Sequence, residues 1–222
     1  LFDRLFVTAG GRLEDQETFG TEITPWAGLA YLVRESGTKL RGGWAEGFRA
    51  PTLNDLFFPG FGDPDLKPET SETWDVGIEQ ALLRKRVRVE ATYFHNEFEN
   101  MITSVRTTVS PFARAVNLGR ARSRGIEFAT GADILDTLRA TLNYTYTDTE
   151  DITNKLPLKR VAPHRWNLGL SWDALPTLNV FAQGAIVSSQ FEAVGFPRND
   201  GYRRVDAGLT KLYQGILDVA RQ

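Results

Sequence analysis

The stretch Leu138-Arg139-Ala140-Thr141-Leu142-Asn143-Tyr144-Thr145-Tyr146-Thr147-Asp148 decides the fold class. Leu138, Ala140, Leu142, Tyr144 and Tyr146 share one parity; Arg139, Thr141, Asn143, Thr145 and Thr147 share the other. A period of two marks a β-strand with one apolar and one polar face, because successive side chains leave the pleat on opposite sides. His164, Trp166, Leu168, Leu170 and Trp172 repeat the pattern against Arg165, Asn167, Gly169, Ser171 and Asp173. Working outward, 73–83 sets Trp74, Val76, Ile78 and Leu82 against Asp75, Gly77 and Glu79. In 86–97, Val87, Val89, Ala91 and Tyr93 oppose Arg86, Arg88, Glu90, Thr92 and Asn96. Helical periodicity is hard to find. The chain is expected to form ten strands, roughly 1–9, 22–34, 38–47, 71–83, 85–105, 111–133, 137–149, 162–173, 177–188 and 201–213.

The connections are as informative as the strands. Tight links are expected at Glu35-Ser36-Gly37, around Leu83-Arg84, at Ile134-Leu135-Asp136 and at Ala174-Leu175-Pro176. Between them fall longer links near 10–21, 48–70, 105–111, 149–161 and 189–201. Short and long alternate, as they do in a barrel that crosses an outer membrane with short periplasmic turns and long external loops. A soluble β-sandwich or a lipocalin-like barrel shares the amphipathic strands but has no reason to segregate loop length. Trp44, Tyr93, Tyr146, Trp166 and Trp172 fall near strand ends or in outward parity, as an interfacial girdle requires, although core aromatics read the same way. Trp26 has inward parity and is the exception.

Composition sets limits on function. The 222 residues are 41% hydrophobic and 24% charged, with no run near the ~20 apolar residues of a membrane helix. Barrel strands show lipid only every second residue, so their average hydropathy stays low. A net charge of −2 suggests no nucleic-acid partner. The absence of cysteine removes disulfides and thiolate metal sites. The chain opens on Leu1-Phe2-Asp3-Arg4, without an initiator Met, signal peptide or cleavage site, and is expected to be part of a longer protein.

Gly47-Phe48-Arg49-Ala50-Pro51-Thr52-Leu53-Asn54-Asp55-Leu56-Phe57 is followed by Asp63-Pro64-Asp65-Leu66-Lys67-Pro68-Glu69-Thr70-Ser71 and then by a strand. This pair of segments resembles the signature of TonB-dependent outer-membrane receptors, carried by Gly47, Phe48, Arg49, Pro51, Leu53, Asp55, Leu56, Pro64, Leu66, Pro68, Glu69 and Ser71. Asn117-Leu118-Gly119-Arg120-Ala121-Arg122-Ser123-Arg124-Gly125-Ile126-Glu127 and Leu156-Pro157-Leu158-Lys159-Arg160-Val161-Ala162-Pro163-His164 resemble further segments of the same family, in its cobalamin- and siderophore-receptor branch. The resemblance implies an all-β, antiparallel transmembrane β-barrel, of which 1–222 would be the C-terminal part: about ten strands of a 22-stranded barrel. About ten strands would precede Leu1 and about two would follow Gln222. The plug domain would lie outside this chain, and with it the segment that meets TonB and its inner-membrane energising complex. The implied function is uptake of cobalamin or a ferric siderophore across the bacterial outer membrane, with a passive porin as the alternative. The implied partners are TonB, a small-molecule ligand and outer-membrane lipid; no cofactor and no catalytic role are implied.

The residues of the motif have a physical reading of their own. Pro51, Pro59, Pro64 and Pro68 remove backbone donors, so no ladder can continue through them. An ordered external loop is expected, presenting Phe57, Phe58 and Phe61 either to a ligand or to its own interior. Asp63, Asp65 and Glu69 read as turn formers or, alternatively, as an oxygen cluster for calcium. Gly60-Phe61-Gly62 lacks the strand-to-helix setting of a phosphate loop. His95 and His164 have no nucleophilic or acidic pattern around them and read as interfacial residues. The run Arg84-Lys85-Arg86-Val87-Arg88 sits at a tight turn, either solvated or against anionic headgroups. Inward polar residues (Asp75, Glu79, Arg88, Glu90, Glu127, Arg139 and Asp173) would line the lumen, as ion pairs of the wall or as contacts to a plug.

Overall fold

The computed structural model describes residues 3–108 and 113–211. Ten strands form one sheet: β1 (Leu5–Gln16), β2 (Gly20–Val33), β3 (Thr38–Arg49), β4 (Glu69–Leu82), β5 (Val87–Arg106), β6 (Ala113–Leu135), β7 (Leu138–Asp151), β8 (His164–Leu175), β9 (Leu178–Val187) and β10 (Tyr202–Lys211). They pair antiparallel in strict chain order, each with its sequence neighbours. A five-residue helix, α1 (Leu53–Phe57), lies between β3 and β4. No helix among the described residues is long and apolar enough to cross a membrane; the strands are the spanning candidates.

The register carries the period of two across the whole sheet. One face aligns Leu40 with Ile78 and Ala91, then Phe128, Tyr144 and Trp166, from β3 to β8. On this face Trp74 stacks on His95 at 5.3 Å, and Tyr144 packs on Trp166 at 4.0 Å and bonds His164 through its hydroxyl at 2.9 Å. These rings make the girdle expected at a lipid–water boundary. Beyond them the same face turns charged: Arg120 meets Glu97 at 3.1 Å, Arg122 meets Glu150 at 2.6 Å and Arg124 meets Asp148 at 3.0 Å. Trp26 lies on the opposite face, over Gly10, where any Cβ would strike its ring. Phe94 covers Gly125 and Phe181 covers Gly208 in the same way, so three aromatics lie flat across bare backbone of the neighbouring strand.

Among the described residues no second sheet or helical layer packs across this sheet. The buried hydrophobics are Leu56, Leu66, Ala115, Ala121 and Ala162, and no large side chain among the described residues is fully buried. Leu29, Trp74, Val76, Ile78, Leu168, Leu170 and Trp172 are all exposed. A sandwich would bury such residues against a facing sheet; here their apolar band needs lipid.

Loop length departs from expectation at one place. The link expected at 10–21 is mostly strand: β1 and β2 pair from Leu5↔Tyr31 to Gln16↔Gly20, leaving a turn at 17–19. Polar residues of that arm look like loop in sequence, yet Thr21 bonds Asp15 and Arg12 pairs with Glu14 along a ladder that simply outruns the apolar band. The other long links stand at 50–68, 152–163 and 188–201, with 107–112 partly outside the described residues.

Candidate functional site

Two long loops, 50–68 and 152–163, fold over one face of the sheet, and a third, 188–201, is tied to the second. That face is the polar one. Arg41 reaches from β3 across β4 to Glu90 at 2.5 Å and Thr92 at 2.7 Å on β5, and lies 3.6 Å from Asp75. Arg88 and Lys39 share Glu79 at 3.4 and 3.7 Å. Arg139 bonds Asp133 at 2.7 Å, and Asp173 accepts from Asn179 at 2.8 Å. Of the lumen residues expected from parity, then, Asp75, Glu79, Arg88, Glu90, Arg139 and Asp173 pair within the wall.

The 50–68 loop is built by the motif residues themselves. Arg49 and Glu69 close its two ends with a bidentate pair, both bonds 2.6 Å. Thr52 caps α1 by accepting from the Asp55 amide at 3.1 Å, while the Asp55 carboxylate accepts from the Thr52 amide at 2.9 Å; each satisfies an amide the helix start would orphan. Pro51 is buried at the loop entrance. Gly62 lies against the chain at Leu56, where a Cβ would come within 2.6 Å of backbone. Gly47 is likewise covered by the Ser71 hydroxyl of the partner strand. Leu56 and Leu66 then enter a small core with Ala115, flanked by Phe19, Phe61 and Ile102. Ile102 and Ala115 carry the inward parity of Glu90 and Ala121, so the loop lies across the polar face of the β5–β6 arm.

Hydrogen bonds fix this docking. The Ala115 amide donates to the Phe61 carbonyl at 2.8 Å, and the Ile102 amide donates to the Glu69 carboxylate. Asn117 accepts from the Lys67 amide at 2.8 Å and donates to the carbonyls of Lys67 and Asn100 at 3.0 and 2.6 Å. Arg114 pairs with Asp63 at 2.8 Å. Asp63 and Glu69 are therefore engaged by different arginines, while Asp63 also holds the Asp65 amide in a turn. Among the described residues no group of three or more histidines, cysteines or carboxylates is arranged to hold a metal. Phe57 is 63% and Phe58 55% exposed, whereas Phe61 is half-buried and meets Phe58 edge-on at 6.5 Å. Leu53 and Pro64 also face outward from the loop.

The other two loops continue the layer. In 152–163, Asp151 accepts from the amides of Thr153 and Asn154, both at 3.0 Å, and Thr153 lies over Gly119 of β6. Lys159 reaches the Ser104 carbonyl on β5 at 3.1 Å. Arg160 clasps Glu192 of the next loop at 2.8 and 3.1 Å, and Asn199 adds a third bond at 2.8 Å. The two donors, Arg160 first, hold the Glu192 carboxyl well below its ordinary range, at about 2. Asn117 and Arg160 both stand in segments that resemble the family, but the sequence alone gives neither of them a role. Their partners lie 50 and 32 residues away, and no local pattern shows that separation.

Residues 1–214 match the family model described as "TonB dependent receptor-like, beta-barrel". The chain belongs to that family. As a TonB-dependent receptor barrel it sits in the bacterial outer membrane, its apolar face toward lipid and its polar face toward the lumen. It is 27% identical over 239 residues to the iron-regulated outer membrane virulence protein of Vibrio cholerae serotype O1, covering 95% of this chain and 36% of that one. It is 35% identical over 136 residues to the vitamin B12 transporter BtuB of Vibrio vulnificus, covering 59% of this chain and 22% of that one. Its fold superposes on a mutant of the ferric enterobactin receptor PfeA of Pseudomonas aeruginosa with a TM-score of 0.77, at 20% identity, over 95% of this chain and 35% of that one. The siderophore receptor PirA of Acinetobacter baumannii gives 0.76 at 21% identity, over 96% and 38%. The chain thus spans about a third of the length of the V. cholerae relative, and its ten strands are a segment of barrel wall. The family is one of receptors and transporters rather than enzymes.

Proposed function

We propose that this wall and its loops belong to an energised receptor that takes up a scarce nutrient, either cobalamin or a ferric siderophore. The observation that carries the reading is the inward-folded loop layer. The 50–68 and 152–163 loops are tied to the lumen face, Arg160 joins the second to 188–201, and the end of α1 displays Phe57 and Phe58 from a buttressed support. A pre-organised surface of this kind loses little entropy when it captures a ligand at low concentration. Phe57 and Phe58 are the ligand contacts, and Phe61 steadies Phe58 from behind. Residues 1–222 act as the C-terminal part of the barrel, and TonB, with its inner-membrane energising complex, acts through a plug domain housed in the lumen. The relatives named for vitamin B12 and for siderophores support both ligand classes.

The test is uptake of labelled ferric enterobactin and cyanocobalamin by cells carrying the full-length receptor, with and without TonB. One of the two should accumulate only when TonB is present. Equal accumulation in both strains would mean a passive pore instead. Replacing Phe57 and Phe58 together by Ala should weaken capture of that ligand about tenfold while the receptor remains in the membrane.

A further inference from the structure

The turn between β4 and β5 is unlike its neighbours on the same rim. Leu83, Arg84 and Lys85 stand there with φ of 48°, 54° and 71°, three consecutive left-handed residues without a glycine. Left-handed backbone costs an L-residue with a Cβ roughly 1–2 kcal/mol, and glycine nothing comparable. The adjacent β2–β3 turn uses Gly37 at φ 69° for the same bend. At the β4–β5 turn, therefore, the side chains rather than the backbone account for the residues chosen. Leu83 is 73% exposed and stands one residue past Leu82, whose pair with Val87 ends the outward apolar line of the hairpin.

Charge separates the members of the basic run. Arg86 pairs with Asp136 and Arg88 with Glu79, but Arg84 and Lys85 meet no carboxylate among the described residues. The β2–β3 turn carries Glu35, engaged by Arg4, the β6–β7 turn carries Asp136, and the β8–β9 turn carries Pro176 and Thr177. Two cations without an acidic partner thus lie just beyond an exposed leucine at the foot of the lipid-facing band. An apolar tip that enters the bilayer edge while its cations remain at headgroup depth is how such residues meet an anionic leaflet.

We propose that Leu83, Arg84 and Lys85 form an anchor for anionic phospholipid headgroups of the periplasmic leaflet. The anchor uses the lipid-facing orientation of the barrel and is independent of which nutrient the receptor takes up. Its occupant is a phospholipid phosphate and not a periplasmic protein, because the exposed tip adjoins, at Leu82 and Val87, the end of a surface already committed to lipid.

The test places the full-length receptor in nanodiscs of phosphatidylethanolamine mixed with phosphatidylglycerol, with retained lipid counted by native mass spectrometry. The wild-type receptor should retain phosphatidylglycerol preferentially. The R84N/K85G double variant removes both charges with residues that suit positive φ, so the turn still forms. It should lose about tenfold in that preference, from two cations each contributing a few-fold. K155Q/K159Q, at the opposite rim, removes two cations without touching the anchor and should leave the preference unchanged. An equal preference in wild-type and R84N/K85G receptor, or equal retention of the two lipids by wild type, overturns the proposal; so does an equal loss in K155Q/K159Q.

Discussion

The two ends of this sheet are built on different principles. At the periplasmic end the strands turn back within a few residues, and each tip meets only the neighbouring hairpin, as the Gly37 carbonyl with the Ala81 amide and Asp136 with Arg86 show. At the external end the strands run on past the aromatic girdle, and the 50–68 link folds back over the lumen face into a core it shares with Ala115 of β6, formed with Leu56 and Leu66. The first end needs only turn chemistry. The second acquires something close to a small soluble domain, because water surrounds it and burial again stabilises. Binding surfaces are therefore expected at the end that has a core of its own.

The contrast can be broken first at Gly62. A Cβ there would meet the backbone of Leu56 and Phe57 rather than a movable side chain. Gly62→Ala should cost about 3 kcal/mol in local opening of 50–68, seen as lost hydrogen-exchange protection, with the periplasmic hairpins unaffected. Leu56→Ala comes next, at about 2–3 kcal/mol for a side chain only 6% exposed, and exchange should rise in 50–68 and around Ala115 together. If Leu56→Ala loosened only its own helix, the shared core would be disproved. Gly37→Ala probes the other end: at φ 69° it should cost about 1 kcal/mol and leave exchange of all three external loops unchanged. The smallest effect is the pH response of the Arg160–Glu192 clasp. Because the Glu192 carboxyl is depressed from 4.5 to about 2, its tie is fully present above pH 4.5 and lost as pH falls toward 2. Energy transfer between labels on 152–163 and 188–201 should report separation in that window, and Arg160→Gln should remove the response.

Strands are the part most easily read from sequence, because one face meets lipid and the other water along every strand and parity records both. Their ends are harder: β1 runs seven residues past the expected Ala9, to Gln16, through Arg12, Glu14 and Asp15, whose polarity marks only that the ladder has left the bilayer. The 47–71 signature points to the family, and the structure shows how its residues build the loop. Arg49 and Glu69 close it, Asp55 caps its helix, and Leu56 and Leu66 seat it. What sequence could not show was the seat. Asn117, Arg114 and Ser104 receive the loops from strands far along the chain, and nothing local in those residues announces a partner. Phe57, Phe58 and Phe61 look equivalent as aromatics in one loop; only packing separates the half-buried ring from the two exposed ones.

Pairing in strict chain order has a mechanical consequence. Where every strand touches only its sequence neighbours, each hairpin is held sideways by its flanking strands alone. Few bonds among the described residues skip a strand. Arg41 spans from β3 to β5, Phe61 carries the β3–β4 loop to β6, and Lys159 carries the β7–β8 loop back to β5. These links work like staples through a folded ribbon: strands cannot part at β4 or β7 without breaking them. The strands from β3 to β8 should accordingly resist separation under load more than their ladders alone would allow.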